Sequence, residues 1–182
     1  MKHYGTQLLE TERLILRRFV IEDASAKFRN CASDADVTRF LSWPTHTSQT
    51  ISEYVISSWM ESYADKKYYQ WAITLKETGE PIGSMTVMHM NEDISMVHVG
   101  YCIGKRWWHQ GFTSEALQAV VDFLFDEVGA NRIEAYHDPN NPNSGGVMKK
   151  CGMKYEGTLR SYQKTNQGLT DACVYAILKS ER

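Results

Sequence analysis

The stretch Val99-Gly100-Tyr101-Cys102-Ile103-Gly104-Lys105-Arg106-Trp107-Trp108-His109-Gln110-Gly111-Phe112-Thr113-Ser114-Glu115-Ala116 restricts the fold of this 182-residue chain more than any other. It opens as an apolar strand and passes through a polar turn that holds Gly104 and Gly111. From near Thr113, Leu117, Val120, Val121, Leu124 and Val128 then line one stripe of a helix that Gly129 ends. Period two gives way to period 3.6 across one short turn, so a strand feeds a helix directly. The first-turn N–H groups of such a helix have no intrahelical partner and are available to an anion. Gly111 lets a ligand approach the backbone closely, and Lys105, Arg106 and His109 supply positive charge upstream. A diphosphate is the natural guest. A glycine before a helix also serves simply as a turn, and the local pattern leaves both readings open.

The rest of the chain fills in an α/β pattern. Leu14 to Phe19 reads as a strand, Glu22 to about Asn30 as a helix, and Asp34 to Leu41 as a short helix. Ser48 to Ala64 carries Ile51, Tyr54, Val55, Trp59 and Tyr63 near a 3.6-residue period, which predicts another helix. Tyr69–Leu75, Pro81–Met88 and Ser95–Ile103, separated by polar turns, predict an antiparallel meander. After the central helix come a strand at Arg132–His137, a Pro/Asn loop, a short helix from Gly145 to Cys151, and strands near Met153–Leu159 and Ala172–Leu178. The expected order is β-α-α-β-β-β-α-β-α-β-β, a mixed, mostly antiparallel sheet of six to seven strands flanked by helices.

Composition narrows the function classes. Hydrophobic residues make up 42% and charged residues 23%, as in one globular domain spanning 1–182. At this length about 70% of the unfolded chain's surface becomes buried, enough for a core without staples. Twenty Lys and Arg against 22 Asp and Glu disfavour non-specific nucleic-acid binding. Cys31, Cys102, Cys151 and Cys173 are too widely spaced for a zinc site or a compact disulfide framework, so we expect no metal and four thiols in a reducing cytoplasm. No export signal and no membrane span are expected. There is no Gly-x-x-x-x-Gly-Lys-Ser/Thr, no Gly-x-Gly-x-x-Gly after a strand and no Gly-x-Ser-x-Gly, which removes the P-loop, dinucleotide-binding and hydrolase readings.

A second informative stretch runs from His137-Asp138-Pro139-Asn140-Asn141-Pro142-Asn143-Ser144-Gly145-Gly146 through Cys151-Gly152-Met153-Lys154-Tyr155-Glu156-Gly157. Ser144 is a candidate N-cap. Two glycines in the first turn each cost about 1 kcal/mol relative to alanine in a helix interior, so either the backbone is approached closely there or the helix start is frayed.

Together with the opening Leu9-Glu10-Thr11-Glu12-Arg13-Leu14-Ile15-Leu16-Arg17, these two blocks give the chain its resemblance to the GNAT superfamily of acyl-CoA-dependent N-acyltransferases. Within it the chain is most similar to the ribosomal-protein N-terminal acetyltransferase branch, the RimJ/RimL type. The resemblance implies that the pyrophosphate loop falls on Trp108, His109, Gln110, Gly111, Phe112 and Thr113, with N–H groups through Ser114 holding the diphosphate of acetyl-CoA. Trp108 and Thr113 depart from the superfamily pattern at its first and last positions. The resemblance further implies that the strand before this loop splays from the strand after the helix, so that Tyr101, Cys102 and Ile103 lie beside the thioester. Asn141 falls where the family contacts the pantetheine arm, and Ser144 where the branch places a hydroxyl near the cofactor sulfur. Ser144 is therefore a candidate both for protonating the departing thiolate and for capping its helix. Many superfamily members carry a tyrosine acid where this chain has Met148, which leaves Ser144, a water, or unassisted departure of the thiolate.

For the base, the sequence offers His89, His98, His137, Glu92 and Asp93 without singling one out. Cys102 and Cys151 read as small buried residues rather than nucleophiles. The region from Phe40 to Tyr63 is expected to build the acceptor site, with Trp43 and His46 as candidates for its lining. The resulting expectation is acetyl transfer from acetyl-CoA to a primary amine, preferably a protein or peptide N-terminus, by direct attack in a ternary complex. A small-molecule amine, a non-catalytic acyl-CoA-binding module and a purely structural domain are the rivals, and exposed sheet edges make a homodimer reasonable.

Overall fold

The computed structural model describes residues 1–182. Its strands are β1 Leu9–Glu10, β2 Leu14–Arg17, β3 Gln70–Leu75, β4 Pro81–Asn91, β5 Met96–Ile103, β6 Arg132–His137, β7 Lys154–Thr165 and β8 Gly168–Leu178. They form one sheet in the order β1-β2-β3-β4-β5-β6-β8-β7. All neighbours are antiparallel except β5 and β6, which are parallel. The sheet has eight strands rather than six or seven. The addition is β1, whose two residues pair with β2 and are too few to show alternation.

The helices are α1 Ala24–Lys27, α2 Ala35–Thr38, α3 Gln49–Ser62, α4 Phe112–Phe123 and α5 Pro142–Lys150. A π-helical turn, Leu124–Val128, extends α4 to Gly129, whose φ of +77° ends it. The stripe predicted for this helix is the one buried: Leu117, Val120, Val121 and Leu124 are fully enclosed in the main core with Leu14, Trp71 and Ile133. Each such side chain contributes about 1.5–3 kcal/mol on burial. A smaller cluster of Phe19, Ala24, Ile56 and Ala72 seats α1 and α3. The predicted inner face of α3 is displaced. Ser52 and Ile56 are buried with Trp59 packed beside them, whereas Tyr54 is 76% exposed.

The terminal hairpin is longer than its sequence announces. β7 and β8 continue past Leu159 to a turn at Asn166-Gln167, with register shifts between Leu159 and Gln163. β7 is an edge strand exposed along most of its length, so Arg160 to Thr165 carries no apolar alternation. The turn is tied to the segment after α2: the Asn166 amide donates to Leu41 O at 2.8 Å, and its Nδ2 donates to Thr38 O at 2.7 Å and Trp43 O at 3.3 Å. No helix is long and apolar enough to cross a membrane.

Candidate active site

The parallel pairing of β5 and β6 ends after Met96↔Arg132, Val97↔Ile133 and His98↔Glu134. From Val99 onward β5 has no partner on that side, and the two strands open into a gap. At the same level β4 carries a bulge at Met88, between the Val87↔Val99 and His89↔His98 pairs. A bulge bends its strand and increases its twist, which turns β5 away from β6. The gap belongs to a cleft of about 530 Å³ that also reaches the start of α4, the start of α5, the α2 segment and Gln163 on β7.

β5 ends at Ile103, and Gly104 follows because nothing larger fits: a Cβ there would lie 2.3 Å from Asn30 O and 2.8 Å from the Trp107 ring. The chain then makes a 3₁₀ turn over Lys105–Trp107, and Trp108 anchors it by donating from Nε1 to Ile103 O at 2.9 Å. His109 and Gly111 both have positive φ, +60° and +83°. Gly111 is the N-cap of α4, and no side chain caps the helix. The first-turn amides of α4 thus remain available where Gly111, Thr113 and Ser114 line the cleft.

The opening block of the sequence holds this turn in place. Glu115, in the first turn of α4, accepts from Thr11 Oγ1 at 2.5 Å, from the Arg13 amide at 2.9 Å and from Arg13 Nε at 2.7 Å. Arg13 Nη1 donates to Gln110 O at 3.1 Å, and its guanidinium lies 4.2 Å from the Phe112 ring centroid. Burial works against the Glu115 charge, but the bonds from Thr11 and Arg13 together hold its carboxyl below the usual range.

Across the gap, α5 begins earlier than expected. Asn141 is its N-cap and Pro142 its first residue, since the fixed φ of proline suits that position and its missing N–H has no partner to lose there. Ser144 is therefore not the cap but a first-turn residue. Its Oγ and carbonyl O both lie 2.9 Å from the Tyr101 hydroxyl. Burial pushes the Tyr101 phenol well above its ordinary range, against the opposing hydrogen bond with Ser144, so the pair is neutral at pH 7.

Of the residues singled out in the sequence, the cleft brings together Tyr101, Cys102, Ile103, Trp108, His109, Gly111, Thr113, Ser114, His137, Asn141 and Ser144. Three stand apart from its wall. Gln110 is exposed and donates to Arg106 O, Phe112 packs under Arg13, and Met148 is buried in the core. On the acceptor side, Phe40 and Leu41 line the cleft but Trp43 and His46 do not. His46 is buried with Nδ1 2.8 Å from Ser52 Oγ, and Trp43 packs over the Lys27 ammonium. Tyr136, Asp138, Lys150 and Gln163 are cleft residues that the sequence reading missed. Alternation along β6 was the available signal for Tyr136. All four cysteines are free, and Cys151 is buried with its Sγ donating to Ser114 O at 3.3 Å.

Residues 13–154 match the acetyltransferase (GNAT) domain family. Protein p20 of Bacillus licheniformis, named an uncharacterized N-acetyltransferase, is 31% identical over 175 residues, spanning 96% of this chain and 98% of its own. The [ribosomal protein uS5]-alanine N-acetyltransferase of Escherichia coli is 32% identical over 65 residues, 36% of this chain and 34% of its own. The crystal structure of a GNAT-family acetyltransferase from Bacillus anthracis superposes with a TM-score of 0.84 at 24% identity, covering 96% of this chain and 100% of that one. The chain belongs to the GNAT acetyltransferase family. It is an N-acetyltransferase with acetyl-CoA as its acetyl donor.

Proposed function

We propose that this enzyme acetylates a protein or peptide N-terminal amine by direct attack on the thioester in a ternary complex. The observation that carries the reading is the continuity of one cleft from the uncapped start of α4, through the β5/β6 gap, to the pouch between α2 and β7. A diphosphate on the Phe112, Thr113 and Ser114 amides would be stabilised by helix-terminal N–H groups. The pantetheine arm would pair with the free edge of β5 at Tyr101, Cys102 and Ile103, as an added strand does, with Asn141 contacting it from the far side. Ser144, coupled to the Tyr101 hydroxyl, would protonate the departing thiolate. Met148, enclosed in the core, has no part in that step. The choice of an N-terminal amine draws support from the segment shared with the uS5-alanine acetyltransferase. A second reading, a small-molecule amine, draws support from the Asn166 tie that closes the hairpin over the acceptor side.

The test is thiol release from acetyl-CoA across a panel of free and N-blocked peptides, amino sugars and polyamines. Turnover with free but not blocked peptide N-termini is the expected result. Turnover confined to the small amines would replace the first reading by the second.

A further inference from the structure

An amine acceptor arrives largely as ammonium and must lose a proton before it attacks, and the groups offered by the sequence are poorly placed to take it. Glu92 is bound by Lys67 and His3 at the far end of the β4/β5 hairpin, and His89 and Asp93 face solvent. His137 lines the cleft, but it is buried with its Nδ1 on Asp138 O, 2.8 Å away, and its Nε2 packs against Gly145, where a Cβ would lie 2.6 Å from it. His98 packs against Tyr136 in a tilted ring pair, its ring centroid 4.0 Å from that of the tyrosine.

Tyr136 stands where the strands part. Glu134 is the last β6 residue paired with β5, and Tyr136 follows two residues later on the same face, in the cleft wall. Its hydroxyl donates to Glu134 Oε1. Glu134 is only 7% exposed, and its other oxygen accepts from Arg132 Nε at 3.0 Å. Arg132 is shared with Glu156 of β7, Tyr162 of β7 packs edge-on against Tyr136 at 5.5 Å, and β8 places the uncharged Val174 and Ala176 opposite Tyr136 and Glu134. The charged and titratable groups around the pair are thus Arg132, Glu156, His98, Tyr162 and, beyond His98, His89. Burial, then the Glu134 carboxylate, push the phenol well above its ordinary range, so it relays a proton without resting as phenolate.

We infer that Tyr136 and Glu134 form the proton path for the acceptor amine. The ammonium gives a proton to Tyr136 Oη while the Tyr136 O–H passes to Glu134 Oε1, leaving a neutral amine and a neutral carboxylic acid. The amine nitrogen then forms the C–N bond, the C–S bond breaks with its electron pair left on the CoA sulfur, Ser144 protonates that sulfur, and the second amine proton passes through water back to Ser144 as the amide forms. Glu134 returns its proton to water after product departs. Tyr136 is the catalytic residue, and Glu134 a positioning residue that orients the phenol and stores its proton. The inference rests on acetyl transfer to an amine, whichever amine that is.

The experiment compares wild type with Tyr136→Phe and Glu134→Gln across pH 6–10, using the best acceptor of the panel above. Wild-type turnover establishes acetyl transfer, and the variants address the relay alone. Both are expected to lose about 10²-fold or more in kcat at pH 7. The loss should shrink as pH rises toward the amine's own pKa, where free amine no longer needs a base. The acetyl-CoA KM and the rise in Tm with acetyl-CoA should stay at wild-type values, which also reports that each variant folds. Wild-type kcat at pH 7 in Tyr136→Phe would overturn the relay, and so would a loss equal at every pH.

Discussion

Gly145 and Gly146 are adjacent in α5, and each is glycine for a different reason. A Cβ on Gly145 would lie 2.6 Å from His137 Nε2, whereas one on Gly146 would meet nothing within 4 Å and would stand in the cleft wall. Gly145→Ala is expected to destabilise by about 1–3 kcal/mol, the cost of overpacking, and to lower Tm by several degrees. Gly146→Ala should stabilise by up to about 1 kcal/mol in thermal unfolding, because alanine is the better helix former, while raising the KM for acetyl-CoA. The sequence marked both glycines as costly, but only packing against His137 tells the two apart. His98 gives a second prediction at this scale. Burial brings its pKa down to about 4, with Glu134 acting the other way and His89 adding to burial. The unfolded chain, with a histidine near 6.5, then binds the extra proton between pH 6.5 and 4. Native stability should therefore fall as pH drops through that window, by roughly 3 kcal/mol in all, and level off below it. Denaturant melts at pH 7, 5.5 and 4.5 should show the loss attenuated in His98→Gln.

At the scale of elements, α4 is joined to the β1–β2 connection through Thr11, Arg13 and Glu115. Arg13→Gln removes the ion pair and the cover over Gln110 and Phe112 while leaving the core stripe of α4 intact. We expect the KM for acetyl-CoA to rise about 5- to 10-fold with kcat within about threefold, on the order of 1 kcal/mol for a half-exposed pair. An unchanged KM would mean that the clamp does not shape the donor site. Elements with a one-sided apolar stripe were legible in the sequence: α4 and its stop at Gly129, the meander, and the strand that feeds α4 through Gly111. Those fixed by strand pairing, by a tie to another segment or by a single terminal residue rather than by an apolar stripe were not. β1 exists because β2 pairs with it, the end of β7 and β8 because Asn166 reaches the α2 segment, and the early start of α5 because Pro142 takes the first helical position. The sequence names Tyr101, Cys102, Ile103, Gly111, Thr113, Ser114 and Asn141, which line the cleft, but not Tyr136 and Gln163. Their place depends on where β5 leaves β6 and on how far the terminal hairpin reaches.

For the whole molecule, a single departure from antiparallel pairing makes the enzyme. One parallel contact three pairs long lets two strands part at the level of the Met88 bulge in β4, and the turn through Gly111 and the first turn of α5 line the opening. Acetyl-CoA is proposed to lie along this opening, with its diphosphate on α4 and its arm on β5. Amide hydrogen exchange with and without acetyl-CoA tests that most directly. The predicted result is slower exchange at Tyr101–Ile103 and at Phe112–Ser114 together, with the exposed outer residues of β7 unchanged. Slowing that spares both segments would contradict it.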